Sequence, residues 1–219
     1  MEFSAGSIRR PHGDAMIRYP AMALAAAFAT PVLAAAPAPA PDLLQVQAHL
    51  RAVSTMTANF EQIDAYGRTR SGVLTLKRPG KIRFQYEKSV PLLIVGDGKA
   101  LTMIDYQVRQ VSRWPIGDSP LAALIDPNRD LSKYGRLIPA PAGRILVEGK
   151  DPKHPEFGTI TIGFTKAPGA PGGLVLAGWT VMDAQGNRST VVLSNQQFGM
   201  DISDKTFLWR DPRPQSRGH

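Results

Sequence analysis

Apolar and polar positions recur with two different periods along this chain, and the change comes early. Leu43, Val46 and Leu50 are spaced as one face of a helix from Asp42 to about Val53, with Asp42 as the expected cap. From Thr55 the period becomes two. Met56, Ala58 and Phe60 alternate with Thr55, Thr57 and Asn59, and Gly72, Leu74 and Leu76 share one face of a run over Thr69–Lys77. Ile82, Phe84 and Tyr86 alternate with Lys81, Arg83, Gln85 and Glu87, the cleanest strand pattern in the sequence. Further runs follow at Leu92–Val95, Ala100–Asp105 and Gln110–Trp114, with turn residues at Gly67, Pro79-Gly80 and Gly96-Asp97-Gly98 between them. Short alternating runs separated by turns predict an antiparallel meander curving toward a barrel or half-barrel.

A second helix interrupts the strands at Ser119–Ile125, where Ser119 caps, Pro120 fills the first turn, and Leu121, Leu124 and Ile125 form a stripe. Asp126–Pro141 reads as loop with a short helical turn near Leu131. Strands resume at Arg144–Glu148, Thr159–Phe164, Leu174–Asp183 and Ser189–Phe198, with a last one expected at Lys205–Trp209.

The N-terminus carries a different signal. Arg18 precedes the apolar run Ala21–Ala29, followed by Pro31 and the small residues Ala34-Ala35-Ala36, the order of a secretory signal peptide. The apolar core is well short of the ~20 residues of a spanning helix, which disfavours a permanent anchor. Met1–Ala36 is therefore expected to be a leader, with Ala34 favoured before the cut and Met1–Ala15 an upstream extension ahead of Met16. Residues 37–41 form an Ala/Pro spacer, 42–210 the folded domain, and 211–219 a disordered tail.

Export changes how composition is read. The leader holds three arginines and two carboxylates, so it accounts for +1 of the net +8 and leaves +7 with the remainder. Lys77, Arg78, Lys81, Arg83 and Lys88 crowd one hairpin. Nucleic acid is a poor partner outside the cytoplasm. Anionic head groups, worth ~1 kcal/mol per basic side chain near the surface, suit the hairpin better. A solvated strand face accounts equally well for Lys81 and Arg83. Arg78 stands apart, because it precedes Pro79 at a turn from which its donors can reach another element.

Candidate chemistry is sparse. The chain has no cysteine, so neither a disulfide nor a thiolate metal site is available. Its four histidines, His12, His49, His154 and His219, show no His-Glu-x-x-His spacing. Gly96-Asp97-Gly98-Lys99 lacks the phosphate-loop spacing and sits between two strands, so it reads as a hairpin turn. No Gly-x-Ser-x-Gly elbow occurs. Neither a cofactor, a metal nor a catalytic residue is expected, although an envelope hydrolase using two scattered carboxylates stays open as an alternative class.

Several stretches in fixed order carry a resemblance. They are Asn59-Phe60-Glu61-Gln62, then Leu-Lys-Arg-Pro-Gly-Lys-Ile-Arg-Phe at Leu76–Phe84, Pro91–Lys99 with its Asp-Gly-Lys turn, Tyr106 and Gln110, and Ser119-Pro120-Leu121. Together, over roughly Leu43 to Trp209, they resemble the LolA family of periplasmic lipoprotein carriers. The resemblance implies a mainly β fold with a few helices: an incomplete antiparallel β-barrel with a helical lid made by the first helix and Pro120–Ile125. It implies an acyl-chain cavity with Phe60, Leu74, Leu76, Ile82 and Phe84 on the barrel and Leu121 and Leu124 on the lid. Arg78 matches the arginine that ties lid to barrel.

Acylated lipoproteins are the implied cargo, and an inner-membrane ATP-driven lipoprotein-release transporter loads them. The resemblance further implies a monomer in the periplasm without catalysis, with transient contact at membrane surfaces, and leaves open whether an outer-membrane receptor takes the cargo. On pattern alone, Ile82, Phe84 and Tyr86 would face inward in any barrel, and a filled core is the more common use of such a face. The sequence also departs from the family. Phe84 and Leu101-Thr102-Met103 stand where tryptophan is frequent, and Ala122 and Ala123 where the lid is often bulkier. A lipid- or lipopolysaccharide-binding sensor domain of the same fold is the alternative function, though such proteins carry a second domain and about 180 residues leave little room for one.

Overall fold

A computed structural model describes residues 40–116, 126–128, 130–150 and 158–214. The expected leader, most of the spacer, the Ser119–Ile125 helix with Leu121 and Leu124, His154 and the last five residues lie outside the described residues.

Helix α1 spans Pro41–Ala52, and among the described residues eleven strands follow: β1 Thr55–Ile63, β2 Thr69–Lys77, β3 Lys81–Tyr86, β4 Leu92–Asp97, β5 Ala100–Asp105, β6 Gln110–Pro115, β7 Gly135–Ile138, β8 Arg144–Lys150, β9 Thr159–Lys166, β10 Leu174–Met182 and β11 Arg188–Phe198. All join one antiparallel sheet in the order β6-β5-β4-β3-β2-β1-β11-β10-β9-β8-β7. Two meanders, β1–β6 and β7–β11, are thus sewn together where β1 pairs with β11. Strands β6 and β7 form its two ends, so the sheet curls into a barrel that stays open.

The sequence pattern missed β7. At four residues, between Gly135 and Pro139, it is too short for alternation to register, and its pairing with β8 identifies it. The expected strand at Lys205–Trp209 is instead a 3-10 turn over Asp204–Phe207. Ser203 caps that turn by accepting from the Lys205 amide. Asp42 is not the cap of α1. Proline at the first helical position starts the helix one residue earlier, and Asp42 sits in the first turn, where its carboxylate suits the helix dipole and meets Lys166 Nζ at 3.2 Å.

Helix α1 buries Leu43, Val46 and Leu50 against Ile145, Val147, Ile162, Phe164 and Leu174 of β8–β10. His49 lies on the same face. Its Nδ1 donates to Pro171 O at 2.7 Å and its ring meets Phe164 edge-on at 5.6 Å. The Pro171–Gly173 turn presses on this point: a Cβ on Gly172, at φ +63°, would lie 2.6 Å from His49 Cα, so only glycine fits.

Burial lowers the His49 pKa, with the Arg78 charge adding to that effect and the Pro171 bond opposing it. A base with a depressed folded-state pKa supports folding fully above its ordinary value of 6.5 and loses that support as pH falls below it. The stability advantage of wild type over His49→Gln is therefore expected to shrink between pH 7 and pH 5 in urea denaturation. A pH-independent difference would refute this role.

Part of the outer face of the sheet is covered by the C-terminal segment. Leu93, Val95 and Ile104 point away from the barrel interior yet are buried, because Ile202 and Phe207 of the C-terminal segment pack on them. The basic hairpin holds that segment down. Asp204 takes Lys77 Nζ and Lys81 Nζ at 2.7 Å each, Lys77 Nζ also donates to Ile202 O, and Arg83 donates to Thr206 O and Leu208 O at 3.1 and 3.0 Å. Lys81 and Arg83 are therefore not simply solvated, and with Lys77 they are committed to the chain's own C-terminal segment rather than held ready for head groups.

The two lysines pull the Asp204 pKa down to about 2. The stabilisation is present above the ordinary carboxylate value of 3.8 and is lost as pH falls through about 2. Hydrogen-exchange protection of the Thr206 and Leu208 amides is expected to drop over that window in wild type. Asp204→Asn should show the reduced protection at every pH; equal protection in the two proteins at pH 6 would exclude the clamp.

Candidate functional site

The concave face of the sheet encloses a cavity of about 710 Å³, within the roughly 300–1,000 Å³ of typical ligand pockets. Its wall follows from strand alternation. Met56 and Phe60 on β1, Leu74 and Leu76 on β2, and Ile82 and Phe84 on β3 all point inward and all line it. Register sets them side by side, with Leu74 opposite Phe84 and Leu76 opposite Ile82.

Glycines make room for the larger residues. Gly72 lies opposite Phe60, where a Cβ would sit 2.8 Å from the ring, and Gly96 lies opposite Ile82, where a Cβ would sit 2.6 Å from Cγ2. The freed space lets Phe60 stack edge-on with Phe84 at 5.5 Å and Tyr86 at 5.0 Å, while Phe84 meets Trp179 of β10 edge-on at 5.8 Å. The cluster brings rings of the two meanders into contact within the cavity lining. Phe84 is only half-buried, since one side of its ring faces the open space.

Arg78 stands at one end of this wall, at the β2–β3 turn. Its amide donates to Ser54 O at 2.8 Å, its peptide bond to Pro79 is cis, and its side chain lines the cavity. The turn is braced from beside: a Cβ on Gly80 would lie 2.7 Å from Gly98 Cα, in the β4–β5 hairpin that Gly96-Asp97-Gly98-Lys99 forms. Asp97 Oδ1 closes that hairpin by accepting from the Lys99 and Ala100 amides. Burial brings the Arg78 guanidinium down to about 10, and the Asp126 carboxylate works against that shift. It remains a cation at neutral pH, set among Leu50, Leu76 and Ile82.

All the barrel residues singled out from sequence, Phe60, Leu74, Leu76, Arg78, Ile82 and Phe84, thus meet at one cavity; Leu121 and Leu124 lie outside the described residues. The pattern did not single out Ile94, Leu101, Ile160, Leu176, Trp179 and Val191, which also line the cavity. All belong to the alternating runs, but which far strands curl over to face β1–β3 depends on the β1–β11 junction. Trp179 supplies across the barrel an indole that the hairpin strand itself lacks at Phe84.

No helix among the described residues is long and apolar enough to cross a membrane. The family model described as "Outer membrane lipoprotein carrier protein LolA" matches residues 51–209. An outer-membrane lipoprotein carrier protein of Chromobacterium violaceum is 32% identical over 189 residues, spanning 82% of this chain and 88% of that protein. One from Xanthomonas campestris pv. campestris (strain B100) is 30% identical over 173 residues, spanning 73% and 79%. Among solved structures, a LolA superfamily protein from Nitrosomonas europaea aligns over 78% of this chain and 99% of its own, with 13% identity and a TM-score of 0.45. On the family match and the identity over nearly full lengths, the chain belongs to the LolA family of outer membrane lipoprotein carrier proteins.

Proposed function

We propose that this protein is a periplasmic carrier that takes the acyl chains of lipoproteins into the half-barrel cavity and shuttles them from the inner to the outer membrane. The observation that carries the proposal is a cavity walled by aliphatic and aromatic side chains in a member of this carrier family. Physical need fits it. Each buried methylene is worth ~0.8 kcal/mol, so several long chains left in water would cost tens of kcal/mol, and a soluble shuttle must cover them. Binding alone suffices; no bond is made or broken.

In this scheme Met1–Ala36 directs export and residues 42–210 form the carrier domain. Lipoprotein arrives from an inner-membrane ATP-driven transporter and leaves at the outer membrane, to a receptor or to the bilayer itself. Arg78 acts as the latch between barrel and lid, with Leu121 and Leu124 closing the cavity from the lid side.

Native purification from the envelope, followed by mass spectrometry of the bound material, tests the function. Triacylated lipoprotein is the expected cargo. Free glycolipid in its place would overturn the carrier role in favour of a lipid-sensing domain of the same fold.

A further inference from the structure

The cavity is not apolar from end to end. Strand β1 runs from Thr55, paired with Lys77 beside Arg78, to Gln62, paired with Arg70. Seven residues of β2 separate those pairings, roughly 23 Å at the rise of an extended strand. At the Gln62 end three polar side chains line the cavity wall in a hydrogen-bonded row: the Tyr86 hydroxyl donates to Gln62 Oε1, and Gln62 Nε2 donates to Ser189 Oγ at 3.1 Å. They come from three strands, β3, β1 and β11, and Tyr86 is only 5% exposed.

Counting donors and acceptors shows what this row has left to offer. Gln62 Oε1 is engaged by Tyr86, and one Nε2 hydrogen is engaged by Ser189. The second Nε2 hydrogen and the Ser189 hydroxyl hydrogen are the remaining donors. Acceptor lone pairs also remain on Tyr86 Oη, Gln62 Oε1 and Ser189 Oγ, but two free donors beside an apolar chamber suit a carbonyl acceptor at the end of an apolar ligand. The Asp183 carboxylate, also in the cavity lining, accepts from the Gln185 and Asn187 amides and Asn187 Nδ2.

We propose that Gln62, Tyr86 and Ser189 form a carbonyl-binding site that takes the ester or amide group joining an acyl chain to its polar head. Gln62 and Ser189 donate to the carbonyl, and Tyr86 holds the Gln62 amide in the orientation that presents its free hydrogen. Chains then enter with their carbonyls at the Gln62 end and their tails running past Phe60 and Phe84 toward Arg78. This inference rests on the acyl-carrier reading and adds a direction and a chemical group to it.

Displacement of the fluorescent apolar dye N-phenyl-1-naphthylamine from the full mature protein tests it, with dodecane, methyl dodecanoate and N-methyldodecanamide as competitors. In Gln62→Leu the midpoints for the ester and the amide should rise about fivefold, and in the milder Ser189→Ala about threefold, as loss of single hydrogen bonds gives. Dodecane should displace the dye equally from all three proteins. The site is overturned if the carbonyl competitors are unaffected in both variants, or if all three competitors weaken together, which is what a purely structural row would produce. An ester effect without an amide effect, or the reverse, assigns the site to that one linkage. If dodecane alone displaces dye from wild type, this site fails while the carrier reading stands. If nothing displaces dye from wild type, both fail.

Discussion

Ile82→Glu is expected to reduce binding of a fluorescent fatty-acyl probe by more than about tenfold at pH 7.5, because a desolvated carboxylate costs several kcal/mol. The position concentrates the effect. Ile82 is 8% exposed, lines the cavity wall opposite Leu76, and has Gly96 packed against its Cγ2. Charge and size separate by titration. A carboxyl in this setting has its pKa raised by burial, so it is charged at pH 7.5 and increasingly neutral toward pH 5. Probe binding by the variant, relative to wild type at the same pH, should therefore recover on acidification, and Ile82→Gln should show no such recovery. Uptake equal to wild type at pH 7.5 would remove Ile82 from the cavity; equal loss at both pH values would assign the defect to packing.

Period-two alternation made the first meander legible, and the reason is physical. Strands β1–β3 bury only their inner face for most of their length, so Met56, Ala58 and Phe60, or Ile82, Phe84 and Tyr86, stand out against polar neighbours. Where both faces are covered, the signal blurs. Leu93 and Val95 are buried beneath Ile202 and Phe207 on the outside while Ile94 lines the cavity on the inside. A run of apolar residues of that kind shows a strand but not its orientation.

The C-terminal segment was misread for a related cause. Phe207 and Trp209 are spaced two apart as on one face of a strand, yet they are the covering layer, and the Ser203 cap turns the chain into a 3-10 helix before any pairing. The basic hairpin shows the same limit. Lys77, Lys81 and Arg83 are visible as a cluster, but their partners, Asp204 for the lysines and the Thr206 and Leu208 carbonyls for Arg83, lie more than a hundred residues away, and no local pattern connects them. The polar row of Gln62, Tyr86 and Ser189 escaped for that reason too, since its members come together only through the β1–β2–β3 and β1–β11 pairings.

Arg78→Leu is expected to leave loading intact and to slow transfer of the cargo to acceptor membranes by more than about tenfold. A shuttle must hold its cargo in water and still give it up, so some free energy has to favour the empty state. In the proposed latch, Arg78 supplies that bias: its cation sits at the cavity end, desolvated enough that its pKa falls to about 10, with Asp126 favouring the charged form. Breaking such contacts on loading costs about 1–3 kcal/mol, and at 1.4 kcal/mol per factor of ten this weakens cargo binding by roughly five- to 150-fold. Leucine removes the bias and adds apolar surface beside Leu76 and Ile82, so the loaded form becomes the lower state and release becomes slow. Arg78→Lys keeps the charge without the planar set of donors and should fall between the two. Transfer at the wild-type rate by Arg78→Leu would discard the latch, and failure of the variant to load would make Arg78 a residue of uptake instead.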